Sequence, residues 1–422
     1  MFHFKIFLSS LFLIAFMYAR AQDMARVRHN IGVLCAPEMA GRGYALSGDK
    51  KAAEWIAAAF RQAGLQPFGN SFFQPFPLTV NTFYPQVALK VDGTVLQPGK
   101  DFIPNPVSGK GRGKARLVCL DTLLAKGDSL ALKNAMQTSY KGKGVLFRMT
   151  DYMQLLERCP ELLPKLNQAK VWVGTAPTLT AHISGQALQP PFLIVHSKNI
   201  STVAKKVAFR IDSELKTNYI TQNVIGYIKG SKMPERFVVF TAHYDHLGTL
   251  GKQAYIPGAN DNAAGVAMLI ELAHYFRQHP PDFSVCFIAF SGEELGLLGS
   301  LHYTAQPLFP LANIHFLWNL DLIGTGKDGA TVVNASLHPQ AFERLKTLND
   351  SLKALPKLVP RASAANSDHY PFTIKNVPAF FIYLMDKNYP YYHHPDDKAE
   401  HLPLDGFSGL FRLLISACLA MF

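Results

Sequence analysis

Histidines and carboxylates of this chain cluster where its long apolar runs end. The run FSVCFIAFS is followed by Glu293 and Glu294, and IHFLWNL is followed by Asp321. Imidazole and carboxylate groups are common metal ligands in proteins. The pattern predicts a metal centre assembled from several strands. Three further segments of this kind are His243-Tyr244-Asp245-His246, Gly258-Ala259-Asn260-Asp261-Asn262 and Tyr392-His393-His394-Pro395-Asp396-Asp397.

The elements that must position these groups follow Thr217. Continuous apolar runs such as NVIGYI, RFVVFTA and AFFIYL alternate there with amphipathic helical patterns at 263–278 and 341–355. This alternation predicts an α/β fold with a mainly parallel sheet and helices on both faces. Ligands of such sheets gather at the carboxyl ends of the strands, so one crevice is expected to collect the clusters.

The first half of the chain has a different pattern. A helix is predicted over Asp49–Ala63, and hairpin-like runs such as VALKV and ARLVCLD dominate from about residue 82 onward. We interpret residues 84–215 as an inserted β-rich lid domain. Residues 22–83 and 216–422 then form the catalytic domain.

The N-terminus predicts export. Lys5 precedes an apolar run that ends at Tyr18, and the small-x-small triplet Ala19-Arg20-Ala21 follows. A membrane anchor is the alternative, but a run of about 13 apolar residues is shorter than the roughly 20 that span a bilayer. We expect residues 1–21 to be a cleaved signal peptide and the protein to be periplasmic or extracellular, with no stable membrane anchor.

Composition and local sequence argue against a disulfide-rich protein, a phosphate-binding loop and a nucleic-acid-binding protein. Five scattered cysteines are too few for a disulfide framework. The formal net charge is +12, and SGKGRGKAR at 108–116 resembles a phosphate loop, but it leads into a strand-like run rather than a helix. Aromatic residues are not interleaved with the bases, so no nucleic-acid partner is expected.

Five ordered motifs resemble the co-catalytic zinc exopeptidase family, which includes secreted bacterial leucyl aminopeptidases, glutamate carboxypeptidases and the transferrin receptor. The resemblance covers about 217–400, together with residues 40–69, and the insertion resembles a diverged protease-associated domain. The motifs are AHYDHLG, GANDNAAGVAMLIELA, FSGEELGLLGS, NLDLIG and YHHPDD.

The resemblance implies two Zn²⁺ ions. It makes His243 and Asp321 ligands of one zinc, Glu294 and His393 ligands of the other, and Asp261 the bridge. Two zinc ions, three carboxylates and one bridging hydroxide sum to zero charge. Three protein ligands for each metal leave the open positions that catalysis requires.

Three further residues receive catalytic roles. Glu293 is expected to be the general base, because it precedes the ligand Glu294 without sharing its direction. Asp245 lies two residues beyond His243, so its carboxylate is expected to accept the other imidazole N–H. The resemblance implies that Tyr392 hydrogen-bonds the oxyanion.

The residues next to the expected ligands in the motifs also carry predictions. The family more often has threonine where this chain has His394, and the spacing to Pro395 favours His393 as the ligand. Asp397 is a candidate for supporting the ligands. The resemblance also implies a cis peptide bond between Asp261 and Asn262.

The function expected from these observations is a secreted zinc aminopeptidase that acts on peptides with a free N-terminus. A glutaminyl cyclase on a related scaffold is one alternative, although residues 261–265 and 293–296 keep the peptidase pattern. A carboxypeptidase and a metal-free binding or receptor homologue are the others. The intact ligand positions argue against the metal-free homologue.

Overall fold

The computed structural model describes residues 22–188 and 190–420. The predicted signal peptide at 1–21 lies outside the described residues and stays a prediction. Within the described part of the chain, none of the helices is long and apolar enough to cross a membrane.

The described strands form one fourteen-stranded sheet. Twelve of them follow the order β13-β12-β14-β11-β9-β10-β8-β4-β5-β6-β7-β3, while β1 pairs with β8 and β2. The strands are β1 (Phe73–Val91), β2 (Thr94–Leu96), β3 (Phe102–Pro104), β4 (Gly111–Cys119), β5 (Gly144–Arg148), β6 (Val171–Ala176), β7 (Phe192–His196), β8 (Lys206–Ile228), β9 (Met233–His243), β10 (Phe283–Phe290), β11 (Ile314–Leu320), β12 (Ala330–Val333), β13 (Leu358–Arg361) and β14 (Ala379–Leu384).

The helices lie between these strands and at both ends of the described chain. They are α1 (Met24–Leu34), α2 (Gly48–Gln62), α3 (Ser129–Gln137), α4 (Met149–Arg158), α5 (Leu163–Leu166), α6 (Ala264–Gln278), α7 (Leu298–Ala305), α8 (Pro339–Leu352), α9 (His369–Thr373) and α10 (Phe407–Leu419). The predicted helix at 49–63 is confirmed as α2 within one residue.

Alternate residues of the central strands pack on opposite faces of the sheet. Along β9, Val238 and Phe240 belong to one buried cluster, whereas Phe237 and Val239 belong to another. The first cluster contains residues of α1, α2, α6, α8 and α10, and the second contains residues of α7 and α9. The α/β fold with helices on both faces is therefore confirmed.

Among β8 to β14, four of the six pairings are parallel, as predicted, and two are antiparallel. β9 runs parallel to β10 and β11, and β11 runs parallel to β14. β8 is antiparallel to β10, and β12 is antiparallel to β14. Residues 229–232 alone connect β8 to β9, and this connection is too short for the crossover that parallel strands require.

The segment 84–215 contains α3, α4 and α5, so it has more helix than the expected β-rich domain. These helices connect the parallel strands β4, β5 and β6, whose pairing requires crossover connections. The predicted boundaries fall inside β1 and β8, which pair along most of their length. The division of the chain into two domains therefore stays a prediction.

Candidate metal centre

Strand ends bring the predicted ligands together at one edge of the sheet. His243 is the last residue of β9, and Asp321 directly follows β11. Glu294 follows β10 and His393 follows β14, each after a short loop. Because β9, β10, β11 and β14 are parallel, their carboxyl ends lie at the same edge.

The first group of ligand atoms surrounds His243. Its Nε2 atom lies 3.1 Å from Oδ1 of Asp261 and 3.3 Å from Oδ1 of Asp321. Two atoms bound to one tetrahedral zinc at about 2.0–2.1 Å are themselves roughly 3.3 Å apart. The three buried side chains therefore fit a zinc ion between them.

The second group uses the other oxygen of Asp261. Nε2 of His393 lies 3.2 Å from Oδ2 of Asp261 and 3.3 Å from Oε2 of Glu294. The same spacing argument fits a second zinc ion. Asp261 faces both groups through different oxygens, as a bridging carboxylate must.

His246 is a buried neighbour of this second group to which the sequence analysis assigned no role. Its Nδ1 lies 2.6 Å from Oε1 of Glu294 but 3.9 Å from Oδ1 of Asp261. A separation of 2.6 Å is a short hydrogen bond and is too close for two atoms that share a zinc ion. We therefore assign His246 as a donor to Glu294. The signal in the sequence was a second histidine in the HYDH cluster.

His394 points away from both groups. Its Nδ1 accepts a hydrogen bond from the backbone N–H of Asp396 at 3.1 Å. His393, not His394, faces the carboxylates, which agrees with the prediction from the motif spacing.

The loop that presents Asp261 is held from two sides. The Asp397 carboxylate accepts hydrogen bonds from the backbone N–H groups of Asn260, at 2.9 Å, and Asp261, at 3.2 Å. Arg42 is fully buried and donates to the carbonyl oxygens of Gly258 and Asp261. The Asp261–Asn262 peptide bond is cis, as the resemblance implies.

Gly258 is required at the start of this loop. Its φ is +64°, and a Cβ atom there would lie 2.1 Å from the carbonyl oxygen of Asp261. Any side chain would push the loop away from the Arg42 guanidinium.

The Asp245 carboxylate makes hydrogen bonds other than the one predicted for it. Nδ1 of His243 lies 3.1 Å from the backbone oxygen of Asp245 and 3.8 Å from its carboxylate. The carboxylate instead accepts hydrogen bonds from the Tyr44 hydroxyl at 2.9 Å and from the Glu293 N–H at 3.2 Å. The prediction that this carboxylate accepts the imidazole N–H is therefore wrong, because the ring nitrogen bonds to the Asp245 backbone oxygen and the carboxylate lies beyond hydrogen-bond distance. Asp245 orients the Glu293 backbone.

Glu293 lies beside both groups without belonging to either. Desolvation raises the pKa of the Glu293 carboxyl well above its usual value, and the negative charges of Asp321 and Asp368 raise it further. Desolvation alone would also raise the pKa of Asp261, but hydrogen bonds from His243 and His393 hold it well below its usual value. Asp261 is thus a ready ligand, and Glu293 is suited to hold a proton.

The site opens into a cavity of about 240 Å³. Tyr392 lines it with a side chain that is 52% exposed, so its hydroxyl can reach a bound molecule. Partial desolvation of the ring and the negative charges of Asp261 and Glu294 raise the pKa of Tyr392 above its ordinary value, so the hydroxyl remains a donor. The other lining residues are His243, Asp261, Glu293, Glu294, Asp321, Leu322, Arg361, Asn366, Phe381, Tyr383 and His393.

Comparisons with solved structures agree with this architecture. A zinc aminopeptidase from Bacillus subtilis superposes with a TM-score of 0.69 at 22% identity, over 95% of each chain. An aminopeptidase from an Aneurinibacillus species superposes with a TM-score of 0.62 at 20% identity, over 94% of this chain and 93% of the other. These likenesses establish a shared fold.

Sequence comparisons show similarity to one family of peptidases. Aminopeptidase YwaD of Bacillus subtilis is 25% identical over 381 residues, which are 87% of this chain and 77% of the relative. A probable zinc metalloprotease of Pyrenophora teres is 38% identical over 112 residues, which are 26% of this chain and 24% of the relative. The profile described as peptidase family M28 matches 223–417, which includes every predicted ligand. The chain is therefore similar to the Bacillus aminopeptidase along most of its length, and its residues 223–417 match peptidase family M28.

Proposed function

We propose that this protein is a two-zinc aminopeptidase that removes the N-terminal residue from peptides. The observation that carries the proposal is the pair of three-residue groups that share Asp261, with Glu293 beside them in the same cavity. His243 and Asp321 would hold one zinc ion, and Glu294 and His393 the other. When bound, zinc would supply Lewis acidity that polarises a carbonyl group and lowers the pKa of water.

Glu293 is the proposed general base. Its raised pKa suits a group that takes a proton from the attacking water and then transfers it to the amine nitrogen of the breaking C–N bond. The hydrogen bond from its backbone to Asp245 orients the residue. Tyr392 would donate its hydroxyl hydrogen to the oxyanion that forms on the carbonyl oxygen.

The carboxylates also suggest which end of a peptide is recognised. A free α-amine is a basic nitrogen that bound zinc and the carboxylates of the site would favour, whereas an acetylated nitrogen is neutral and not basic. We therefore propose peptides with an unblocked N-terminus as substrates. We also propose that 1–21 direct export to the periplasm or the extracellular space, and that 84–215 act as a lid over the crevice.

The experiment uses the purified full chain loaded with zinc. Metal analysis should give two zinc ions per chain, and a strong chelator should abolish activity. Unblocked aminoacyl amides and short peptides should be hydrolysed, while their N-acetylated counterparts should not react. Equal cleavage of acetylated and free peptides, or cyclisation of glutaminyl peptides with release of ammonia while leucyl substrates stay intact, would overturn the proposal.

Export has its own test. The intact mass of the protein recovered from the exported fraction should equal that of a chain that begins at Gln22. A mass that includes 1–21 would contradict the predicted cleavage.

A further inference from the structure

The cavity that holds the ligand groups also contains one strongly basic side chain. Arg361 lies at the end of β13, and it is the only Lys or Arg that lines this cavity among the described residues. Four carboxylates line the same space, but three of them belong to the ligand groups.

The register of the sheet places Arg361 in line with Asn319, two residues before the ligand Asp321. Arg361 pairs with Val333 on β12, which pairs with Phe381 on β14, which pairs with Asn319 on β11. Paired residues point to the same face of a sheet. Asp321 follows Asn319 by two residues, so the row that starts at Arg361 ends beside a ligand.

The distance along this row suits an extended substrate. β13 and β11 are three interstrand spacings apart, which is roughly 14 Å. The length of the arginine side chain reduces the distance between its guanidinium and the ligand groups. A residue of an extended peptide spans about 3.3 Å. A carboxylate one or two residues away from the scissile bond could therefore lie beside the guanidinium.

Arg361 has its charge available for a ligand. No carboxylate of the described chain lies within ion-pair distance of it, and its Nη1 donates a 3.4 Å hydrogen bond to the Tyr383 hydroxyl. Asn366 and Tyr383 add polar groups to the lining of the same cavity. Because an arginine fork binds a carboxylate through two parallel hydrogen bonds, it is the side chain best suited to such a ligand.

We propose that Arg361 binds a carboxylate of the substrate and so determines which peptides this enzyme prefers. The inference rests on the proposed peptidase function. The carboxylate can come from the side chain of an N-terminal Asp or Glu, or from the C-terminus of a dipeptide. Both sources present the same chemical group at a short distance from the scissile bond.

The experiment compares matched substrates on wild type, Arg361→Ala and Arg361→Lys, each loaded with zinc. One arm compares aspartyl and glutamyl p-nitroanilides with the leucyl compound. The other arm compares leucylglycine with leucylglycinamide. The measured quantity in each arm is the ratio of kcat/KM for the substrate with the carboxylate to that for the neutral one.

Loss of the guanidinium should lower this ratio about tenfold to a hundredfold in the arm that supplies the carboxylate, mainly through KM. Arg361→Lys should give an intermediate ratio, because it keeps the charge and loses the fork. Arg344→Ala removes an exposed arginine on α8 outside the cavity and should leave the ratio unchanged.

Two outcomes separate the failure of this inference from the failure of the proposed function. If all variants hydrolyse unblocked substrates with the wild-type ratio in both arms, Arg361 binds no substrate carboxylate and the inference is overturned. If the wild-type enzyme with two zinc ions cleaves no unblocked substrate, the proposed function itself is wrong.

Discussion

Nδ1 of His393 donates a hydrogen bond to the carbonyl oxygen of Ala181 at 2.8 Å, and the N–H of Ala181 donates to the carbonyl oxygen of His393 at 3.2 Å. Ala181 belongs to the segment 84–215, which was predicted to be an insertion. A proton on Nδ1 leaves Nε2 free to bind a metal, so this contact sets the tautomer of a proposed ligand. The segment 84–215 therefore reaches the candidate metal centre through its backbone.

Replacing Ala181 by proline should weaken this contact. Proline has no N–H, so the bond to the His393 carbonyl is lost and the backbone of the pair is displaced. We expect about 10- to 100-fold lower affinity for the second zinc ion, measured by competition with a chromophoric chelator. Ala181→Gly keeps the N–H group and is the control. Equal zinc affinity in Ala181→Pro and wild type would contradict the assignment.

Glu293 and Glu294 are adjacent, but substitutions at the two positions should impair the enzyme in different ways. Glu293→Gln keeps the size of the side chain but cannot accept a proton, so kcat should fall by more than about 100-fold with two zinc ions still bound. Glu294→Gln should lose the second zinc ion, because it replaces a charged ligand by a neutral one. Metal analysis together with steady-state kinetics separates the two effects. If Glu293→Gln loses zinc and Glu294→Gln keeps it, Glu293 is the ligand and Glu294 the base.

His246 should act on zinc affinity through Glu294. His246→Ala removes the 2.6 Å hydrogen bond, and we expect about 10- to 100-fold weaker binding of the second zinc ion. His246→Asn places an amide donor near the position of Nδ1 and should restore most of the affinity. His394→Ala is the control, because that ring faces Asp396. If the asparagine variant loses zinc as completely as the alanine variant, His246 is itself a ligand.

Asp49 should make stability depend on pH. Its side chain is buried at the start of α2, and burial raises its pKa to about 6 although Tyr219 and Thr221 donate hydrogen bonds to it. The folded protein therefore holds this proton more tightly than the unfolded chain does. The stabilisation is complete below about pH 4 and is lost as the pH rises through about 6.

Asp49→Asn should remove this dependence. The free energy of unfolding of wild type relative to the variant should fall by an amount of the order of 3 kcal/mol between pH 4 and pH 7.5, measured by urea unfolding. Glu54→Gln, an exposed substitution on the same helix, should run parallel to wild type. Parallel curves for Asp49→Asn and wild type would contradict the assigned pKa.

Sequence motifs and local periodicity were sufficient to name the candidate ligands and several of the elements that carry them. The side chains of His243, Asp261, Glu294, Asp321 and His393 could be named because the motifs that contain them resemble the zinc exopeptidase family. Most of them also lie at or soon after strand ends, which parallel strands bring to one edge. The helix α2 could be placed within one residue because its apolar spacing and its following glycine are local signals.

Contacts between distant segments were decided only by the tertiary structure. The partners of the Asp245 carboxylate, the bond from His246 to Glu294 and the contact between Ala181 and His393 join residues that are 48 to 212 positions apart. The mixed direction of the strands likewise depends on which strands become neighbours. Periodicity reports the face that a residue buries, but not the group it meets there, because that depends on the packing of the whole chain.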